Sequence, residues 1–112
     1  MNITAFGEIL LRLSPSNHHE RIAKTHALNM AFAGAESNVA ASLALLGHQA
    51  QYVTRLPVHM VGDAALNAIR EFGIDTRFVL RGGKRVGTYF IEHGSSIRPT
   101  RVIYDREHSA IA

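Results

Sequence analysis

The sequence contains no cysteine and no tryptophan, and aromatic residues make up 7% of its 112 positions. Without cysteine the chain forms no disulfide and offers no thiolate as a nucleophile or metal ligand. No apolar run approaches the ~20 residues that a transmembrane helix needs, and the opening residues MNITAFGEILLRL lack the charged start of a signal peptide. We therefore expect a cytoplasmic protein that makes no membrane contact and has an aliphatic, alanine-rich core.

A concentrated positive charge is also missing. Twelve Lys and Arg residues against nine Asp and Glu residues give a formal net charge of +3, and the basic residues are scattered, most densely between residues 81 and 106. Nucleic-acid-binding surfaces usually cluster their basic residues, whereas a scattered pattern favours a solvated face or a site for a small anion. The sequence therefore predicts no nucleic-acid partner.

The seven histidines raise the question of a metal site; they stand at positions 18, 19, 26, 48, 59, 93 and 108. No two have the i, i+4 spacing that places ligands on one face of a helix, and no cysteine is present to complete a zinc site. We therefore predict that this chain binds no metal.

Two segments have the apolar spacing of helices, and each is followed directly by a glycine that can end it. They are residues 36–46 before Gly47 and residues 62–72 before Gly73. The positions that this spacing predicts to be buried are Val39, Leu43 and Leu46 in the first helix, with Ala40 and Ala44 beside them, and Ala65, Leu66, Ile69 and Phe72 in the second.

Short apolar segments alternate with these helices and predict strands at residues 2–7, 27–32, 50–56 and 74–80. Alternation of strands and helices through short connections predicts βαβ units and a parallel sheet, so the fold class is α/β in one small domain. Residues 88–93 and 101–106 predict a hairpin instead. Its second strand would place Val102, Tyr104 and Arg106 on one face, available to a ligand or a partner.

The entrance to the first predicted helix is a candidate binding site. Gly34 and Ala35 directly precede it, and Ser37 and Asn38 lie in its first turn. Small residues let a ligand approach the backbone, and the N–H groups at a helix start favour anionic or hydroxyl oxygens. Ordinary helix capping explains the same residues, so the sequence pattern alone leaves both interpretations open.

Several motifs in order along the chain resemble the PfkB/ribokinase family of sugar kinases: GEILLRLSP, AGAESNVAASLALLG, and TRLP followed by VGDAALNAIREFGIDT. The segment RVGTYFIEHGSSIRPTRVIYDREHSA is similar to the 2-keto-3-deoxygluconate kinase branch. The resemblance implies a ribokinase-like fold with a Rossmann-like α/β core and a small β-sheet lid, formed by residues of about 9–32 and 86–106. It also implies that the sugar lies between lid and core and that the lid often makes a homodimer contact.

The resemblance also implies roles for individual residues. The backbone of Gly34 and Ala35 would approach the sugar hydroxyls, and Asn38 would hold that turn. Tyr89, Tyr104 and Arg106 would project from the lid over the sugar, with Arg106 pairing with a sugar carboxylate. Packing within the lid is the alternative for the two tyrosines, and a surface salt bridge with Asp105 or Glu107 is the alternative for Arg106.

Two residues near the start of the chain bear on the substrate. Fructokinase-like members carry an aspartate where this chain has Arg12, which cannot accept a hydrogen bond. If Arg12 faces the site, it favours an acidic sugar over a neutral one; a solvent-facing arginine on an edge strand is the alternative. Glu8 follows the first strand, at the carboxyl end of the sheet where such folds bind ligands, and could orient a site arginine.

One family motif has no counterpart here. The chain has three aspartates, Asp63, Asp75 and Asp105, and none lies in the Gly-Ala-Gly-Asp-like turn that provides the anion hole and catalytic base in this family. We therefore expect residues 1–112 to be the N-terminal part of one carbohydrate kinase domain, with no catalytic residue and the catalytic aspartate beyond residue 112. ATP and Mg²⁺ would serve the full-length enzyme, and neither would bind to this part, which we expect to be inactive alone.

The predicted function is the sugar-binding part of an ATP-dependent kinase of 2-keto-3-deoxygluconate or a related sugar acid. Two alternatives remain open at this point. The chain could belong to a fructokinase-like or ribokinase-like kinase of a neutral sugar, or it could be a non-catalytic module that binds sugar or dimerises through the lid.

Overall fold

The computed structural model describes residues 2–17, 20–94 and 98–111, and gives only the backbone of Asn2, Ala35, Glu36, Ser37 and Val39. In this part of the chain, eight strands, two α-helices and one short 3-10 helix form. In chain order they are β1 (Asn2–Phe6), β2 (Leu10–Pro15), the 3-10 helix (Ile22–Lys24), β3 (Leu28–Ala33), α1 (Ala35–Leu45), β4 (Gln49–Val53), β5 (Arg55–Leu56), α2 (Met60–Glu71), β6 (Leu80–Arg81), β7 (Thr88–Glu92) and β8 (Arg101–Asp105).

Two two-stranded sheets next to the helices are parallel, as predicted for the core. Strand β1 pairs with β4 in a parallel register, and β5 pairs with β6 in the same way. The predicted strand over residues 74–80 is wrong, because only one bridge, between Gln51 and Asp75, and the two-residue β6 form there. The Asp75 carboxylate accepts a hydrogen bond from the backbone N–H of Arg77 at 2.9 Å, and this local turn competes with extended pairing.

A separate four-stranded sheet has the order β3-β2-β7-β8, with β8 at its edge. Its outer pairs, β2–β3 and β7–β8, are antiparallel, and β2 and β7 are parallel. The predicted hairpin of residues 88–93 and 101–106 is therefore confirmed as β7 and β8.

Two cross-strand rows of the four-stranded sheet matter for the site, because residues in register point to the same face. One row crosses the sheet from β3 to β8 on the first face, and the next row crosses it on the opposite face. The first row is Ala31, Arg12, Tyr89 and Tyr104, and the second, which we call the apolar row, is Met30, Leu13, Phe90 and Ile103.

Helix α1 begins and ends within one residue of its prediction, and Gly47 follows it with a φ of 92°. Its buried face matches the prediction at Ala40 and Ala44 and differs at Leu46, while the side chain of Val39 lies outside the described atoms. Ala40 is fully buried and Ala44 packs against the core, whereas Leu46 lies beyond the helix end with 75% of its surface exposed. Apolar residues surround this helix on most sides, so the spacing does not define one face, and the small alanines allow the closest approach to the sheet.

Helix α2 follows its prediction more closely. Ala65, Leu66 and Ile69 are buried, and Gly73 has a φ of 78°. Phe72 is half exposed, since it caps the end of the helix and no longer lies on the buried stripe.

The core between helices and sheet is aliphatic and alanine-rich, as predicted. Its buried members are Ile9, Ala40, Ala50, Tyr52, Leu56, Ala65, Leu66, Ile69, Ile74 and Val86. Among the residues with described structure, no helix has both the length and the apolar character needed to cross a membrane.

Candidate functional site

A cavity of about 450 Å³ lies between the four-stranded sheet and the start of α1. Its size falls in the range that accommodates a small-molecule ligand. It is lined by Glu8, Leu10, Ala33, Gly34, Asn38, Tyr89, Tyr104 and Arg106. Five of the predicted substrate-binding residues and Glu8 thus line one cavity, although they come from distant parts of the sequence.

The start of α1 forms one wall. Gly34 is the N-cap residue, with an extended backbone, and its carbonyl oxygen accepts a hydrogen bond from the Asn38 N–H at 2.9 Å. A glycine has no side chain to cap the first N–H groups of the helix, which remain directed towards its N-terminal end. The predicted residue Ala35 is described only as the first residue of α1, and its side chain lies outside the described atoms.

Tyr89 and Tyr104 stand opposite each other on β7 and β8, where both line the cavity. Their ring centroids are 5.7 Å apart with an angle of 33° between the planes. The tyrosines therefore pack on each other and face the cavity at once, so the geometry is compatible with both predicted roles.

Arg106 directly follows β8, and its Nη2 lies 2.5 Å from Oε1 of Glu8. The alternative partners Asp105 and Glu107 are therefore wrong, and Asp105 instead pairs with Arg85 at 2.9 Å. The Glu8 side chain is only 12% exposed, compared with 51% for Arg106. A carboxylate so far from water needs a charged partner and hydrogen-bond donors, and Arg106 supplies part of both.

The second donor to Glu8 was not predicted. The buried Ser109 hydroxyl donates to Oε2 of Glu8 at 2.5 Å, across a sequence separation of 101 residues. Each oxygen of the Glu8 carboxylate thus has its own partner. Nothing in the sequence around Ser109 signals this contact, because it depends on how the chain returns from β8 to the core.

Gly87 is a further residue that the sequence reasoning missed. A Cβ atom at this position would lie 2.8 Å from Oε2 of Glu8, 2.8 Å from Cδ2 of Leu10 and 3.1 Å from Cβ of Arg106. Glycine before a strand is a known sign of close approach, but only the structure identifies Glu8 and Arg106 as the neighbours.

Arg12 does not line the cavity. It is exposed and lies beside Tyr89 in the register of the four-stranded sheet, on the face that Tyr89 presents to the cavity. The Arg12 side chain therefore leaves the sheet on the cavity side, in the same cross-strand row as the lining residues Tyr89 and Tyr104.

A family profile described as pfkB family carbohydrate kinase matches residues 1–111. The chain belongs to this family. The predicted family is thus confirmed over nearly the whole sequence.

Two relatives illustrate where the pfkB similarity lies. A 2-dehydro-3-deoxygalactonokinase of Haloferax volcanii is 38% identical over 97% of this chain and 34% of its own length. The crystal structure of 2-dehydro-3-deoxygluconokinase from Thermotoga maritima is 51% identical and superposes with a TM-score of 0.95, covering 99% of this chain and 34% of that protein. The predicted ribokinase-like α/β fold is therefore confirmed, and the chain spans about a third of the length of these relatives.

PfkB kinases use ATP, and a sugar kinase from Pyrococcus horikoshii with this fold has been solved with ATP bound, at 18% identity and a TM-score of 0.84. The cavity residues of this chain do not fit ATP with Mg²⁺. Of the side chains that the structure describes, Glu8 is the one carboxylate that lines the cavity, and Arg106 and Ser109 each contact one of its oxygens. Within residues 2–17, 20–94 and 98–111, no three metal-ligating side chains lie close enough together to hold an ion.

Proposed function

We propose that this chain supplies the sugar-binding part of an ATP-dependent kinase that phosphorylates 2-keto-3-deoxygluconate or a closely related sugar acid. The observation that carries this proposal is a guanidinium at the wall of a ligand-sized cavity, beside tyrosines and a helix start. The names of the two relatives, which are kinases of 2-dehydro-3-deoxy sugar acids, support the same substrate class.

In this proposal the substrate carboxylate binds to Arg106. Among the described residues, only Glu8 lies at ion-pair distance from Arg106, and the contact is to Nη2. The remaining N–H groups can donate to a second carboxylate, and guanidinium–carboxylate hydrogen bonds are among the strongest in proteins.

The other cavity residues bind the hydroxyl groups of the sugar. The backbone at Gly34 and Ala35 and the side chain of Asn38 act from the start of α1, and Tyr89 and Tyr104 act from the four-stranded sheet. This sheet acts as the lid, formed by residues of about 9–32 and 86–106, and it shields the sugar from water. The catalytic base is an aspartate outside residues 1–112, in the part of the enzyme that holds ATP and Mg²⁺.

Calorimetry with 2-keto-3-deoxygluconate and with fructose tests the substrate class. We expect the sugar acid to bind more tightly than fructose. Arg106→Lys keeps the charge but loses the planar fork, so it should weaken sugar-acid binding by about tenfold or more. Arg101→Lys, at an exposed position of β8, is the matched control and should leave binding unchanged.

The results separate the alternatives. Tighter binding of fructose would favour a kinase of a neutral sugar, and binding of neither ligand would favour a non-catalytic module. A coupled assay for ADP should detect no turnover by residues 1–112, and turnover there would contradict the assignment of the catalytic base to another segment.

We also propose that the chain forms a homodimer through the apolar row. Met30 and Ile103 in this row are 56% and 59% exposed, and association would remove both side chains from water. Ile103→Glu should shift sedimentation from dimer to monomer, whereas Lys24→Glu should not. We place the enzyme in the cytoplasm, where its proposed phosphoryl donor is available.

A further inference from the structure

We infer that Ser109 is a positioning residue that keeps the Arg106 guanidinium available for the substrate carboxylate. The inference rests on the proposed function. Ser109 does not line the cavity, so it acts through Glu8.

The two oxygens of the Glu8 carboxylate have different partners. Oε1 contacts Nη2 of Arg106, and Oε2 accepts a hydrogen bond from Ser109 Oγ. Arginine and a carboxylate frequently form two parallel hydrogen bonds when both oxygens are available. The Ser109 hydroxyl takes one acceptor position on the second oxygen and so competes with a second contact from Arg106, which leaves more of the guanidinium for a ligand.

Without the Ser109 hydroxyl, Oε2 would lose its donor in a place where water has little access, since the Glu8 side chain is 12% exposed. An unsatisfied carboxylate oxygen is costly. The nearest remedy is a second bond from Arg106, which would rotate the guanidinium towards Glu8 and away from the cavity.

The chain fixes Ser109 firmly enough for this role. A turn from Arg106 to Ser109 is closed by a backbone hydrogen bond of 3.4 Å, and its third residue, His108, has a φ of 56°. The next residue, Ala110, donates from its N–H to the Arg85 carbonyl at 2.9 Å and accepts from Nη1 of Arg55 at 3.2 Å. Ser109 therefore lies at the end of a hydrogen-bonded turn and directly before Ala110, which two hydrogen bonds hold in place.

Gly87 supplies the space for the same arrangement. Its carbonyl oxygen accepts from the Leu11 N–H at 2.9 Å, which fixes the backbone beside Glu8 and Arg106. A Cβ atom there would press on Oε2 of Glu8. Any larger residue would displace the carboxylate that Ser109 holds.

The test compares two ligands on the full 112-residue chain: 2-keto-3-deoxygluconate and its carboxamide, which lacks the negative charge. Ser109→Ala should weaken binding of the acid by about tenfold and binding of the amide by less than about twofold. Ser42→Ala, at an exposed position of α1, is the matched control and should change neither affinity. An equal loss for both ligands, or no loss for the acid, would overturn the positioning role.

A double-mutant cycle gives a readout that general loss of structure would not produce. In the Glu8→Gln background, Ser109→Ala should have no further effect on acid-versus-amide selectivity, because the residue acts only through the carboxylate. A full additive loss would refute the route through Glu8.

The ligand-free protein separates this inference from the proposed function. Ser109→Ala should move the ¹³C resonance of the Glu8 carboxyl group, and an unmoved resonance would overturn the inference even if the wild type prefers the acid. If the wild type shows no preference for the acid while the resonance moves, the proposed substrate is wrong and the contact between Ser109 and Glu8 stands.

Discussion

Removal of Arg106 should affect stability and binding through different causes, and a second substitution can separate them. In Arg106→Met, the Glu8 carboxylate keeps the hydrogen bond from Ser109 but loses its only ion-pair partner among the described residues. The methionine side chain preserves most of the apolar stem. Glu8→Gln/Arg106→Met removes the stranded charge as well.

The magnitudes follow from the exposure of each partner. Half of the Arg106 side chain is exposed, so solvent screens the ion pair and reduces its contribution to the free energy of unfolding. Glu8 is mostly buried, and an unpaired charge there costs more than the pair contributes. We expect Arg106→Met to lower the free energy of unfolding by about 1–3 kcal/mol, and the double variant to recover roughly half of that loss or more.

Binding should not recover with stability. Both variants lack the guanidinium, so each should bind 2-keto-3-deoxygluconate about 10- to 100-fold more weakly than the wild type. Urea unfolding measures the first effect and calorimetry the second. Arg101→Met is the control, with an unfolding free energy within about 0.5 kcal/mol of the wild type.

Two results would refute this reasoning. If the double variant is as unstable as Arg106→Met, the stranded Glu8 charge is not the source of the instability. If Arg106→Met retains wild-type affinity for the sugar acid, the carboxylate does not bind to Arg106.

Two further predictions concern helix α2 and the segment that follows it. Gly62→Ala replaces a poor helix former with the best one, yet the added Cβ would overlap the carbonyl oxygen of Pro57. Urea unfolding should therefore show a free energy of unfolding that is lower by about 1–3 kcal/mol. Greater stability would contradict the overlap, and Asn67→Ala in the same helix is the control. The backbone N–H of Arg77 is the main cause that lowers the pKa of Asp75 below its ordinary value of 3.8, so the stabilisation is complete above that value and is lost as pH falls through the lowered pKa. The difference in stability between wild type and Asp75→Asn should therefore shrink between pH 7 and pH 3, and a constant difference would exclude this carboxylate as the cause.

The sequence predicted the helices better than their packing. Residues of α2 alternate clearly between apolar and polar faces, so Ala65, Leu66 and Ile69 could be assigned to the core. In α1 the apolar residues surround the helix, and the choice of Ala40 over Leu46 for the core depends on the sheet that it meets. The strand predicted after Asp75 is missing because the Asp75 side chain bonds to the local backbone, in competition with strand pairing. The strand propensity of the residues alone does not show this competition.

The site was predictable where the family resemblance supplied residues, and not elsewhere. Gly34, Asn38, Tyr89, Tyr104 and Arg106 were expected to act together, and all five line the cavity; their binding of sugar stays a prediction. Ser109 and Gly87 act through contacts between segments that lie far apart in the chain. No pattern within either segment encodes the position of Glu8, so only the folded structure identifies them.

Under the proposed function, the charges around the cavity suggest for Arg12 a role different from direct contact with the substrate. Among the described side chains, Glu8 and Arg106 are the charged ones that line the cavity, and they form an ion pair with each other. Under the proposed function, this ion pair can orient the substrate and form hydrogen bonds to it, but it exerts little net electrostatic attraction on an anion. Arg12 makes no ion pair within the described part of the chain, and it lies on the cavity side of the sheet beside Tyr89. Because exposed charges act over a Debye length of about 8–10 Å, Arg12 can attract a sugar acid without contacting it. Selectivity for an acid would then depend on both arginines. Arg12 would contribute long-range electrostatic attraction, and Arg106 would contribute hydrogen bonds to the carboxylate.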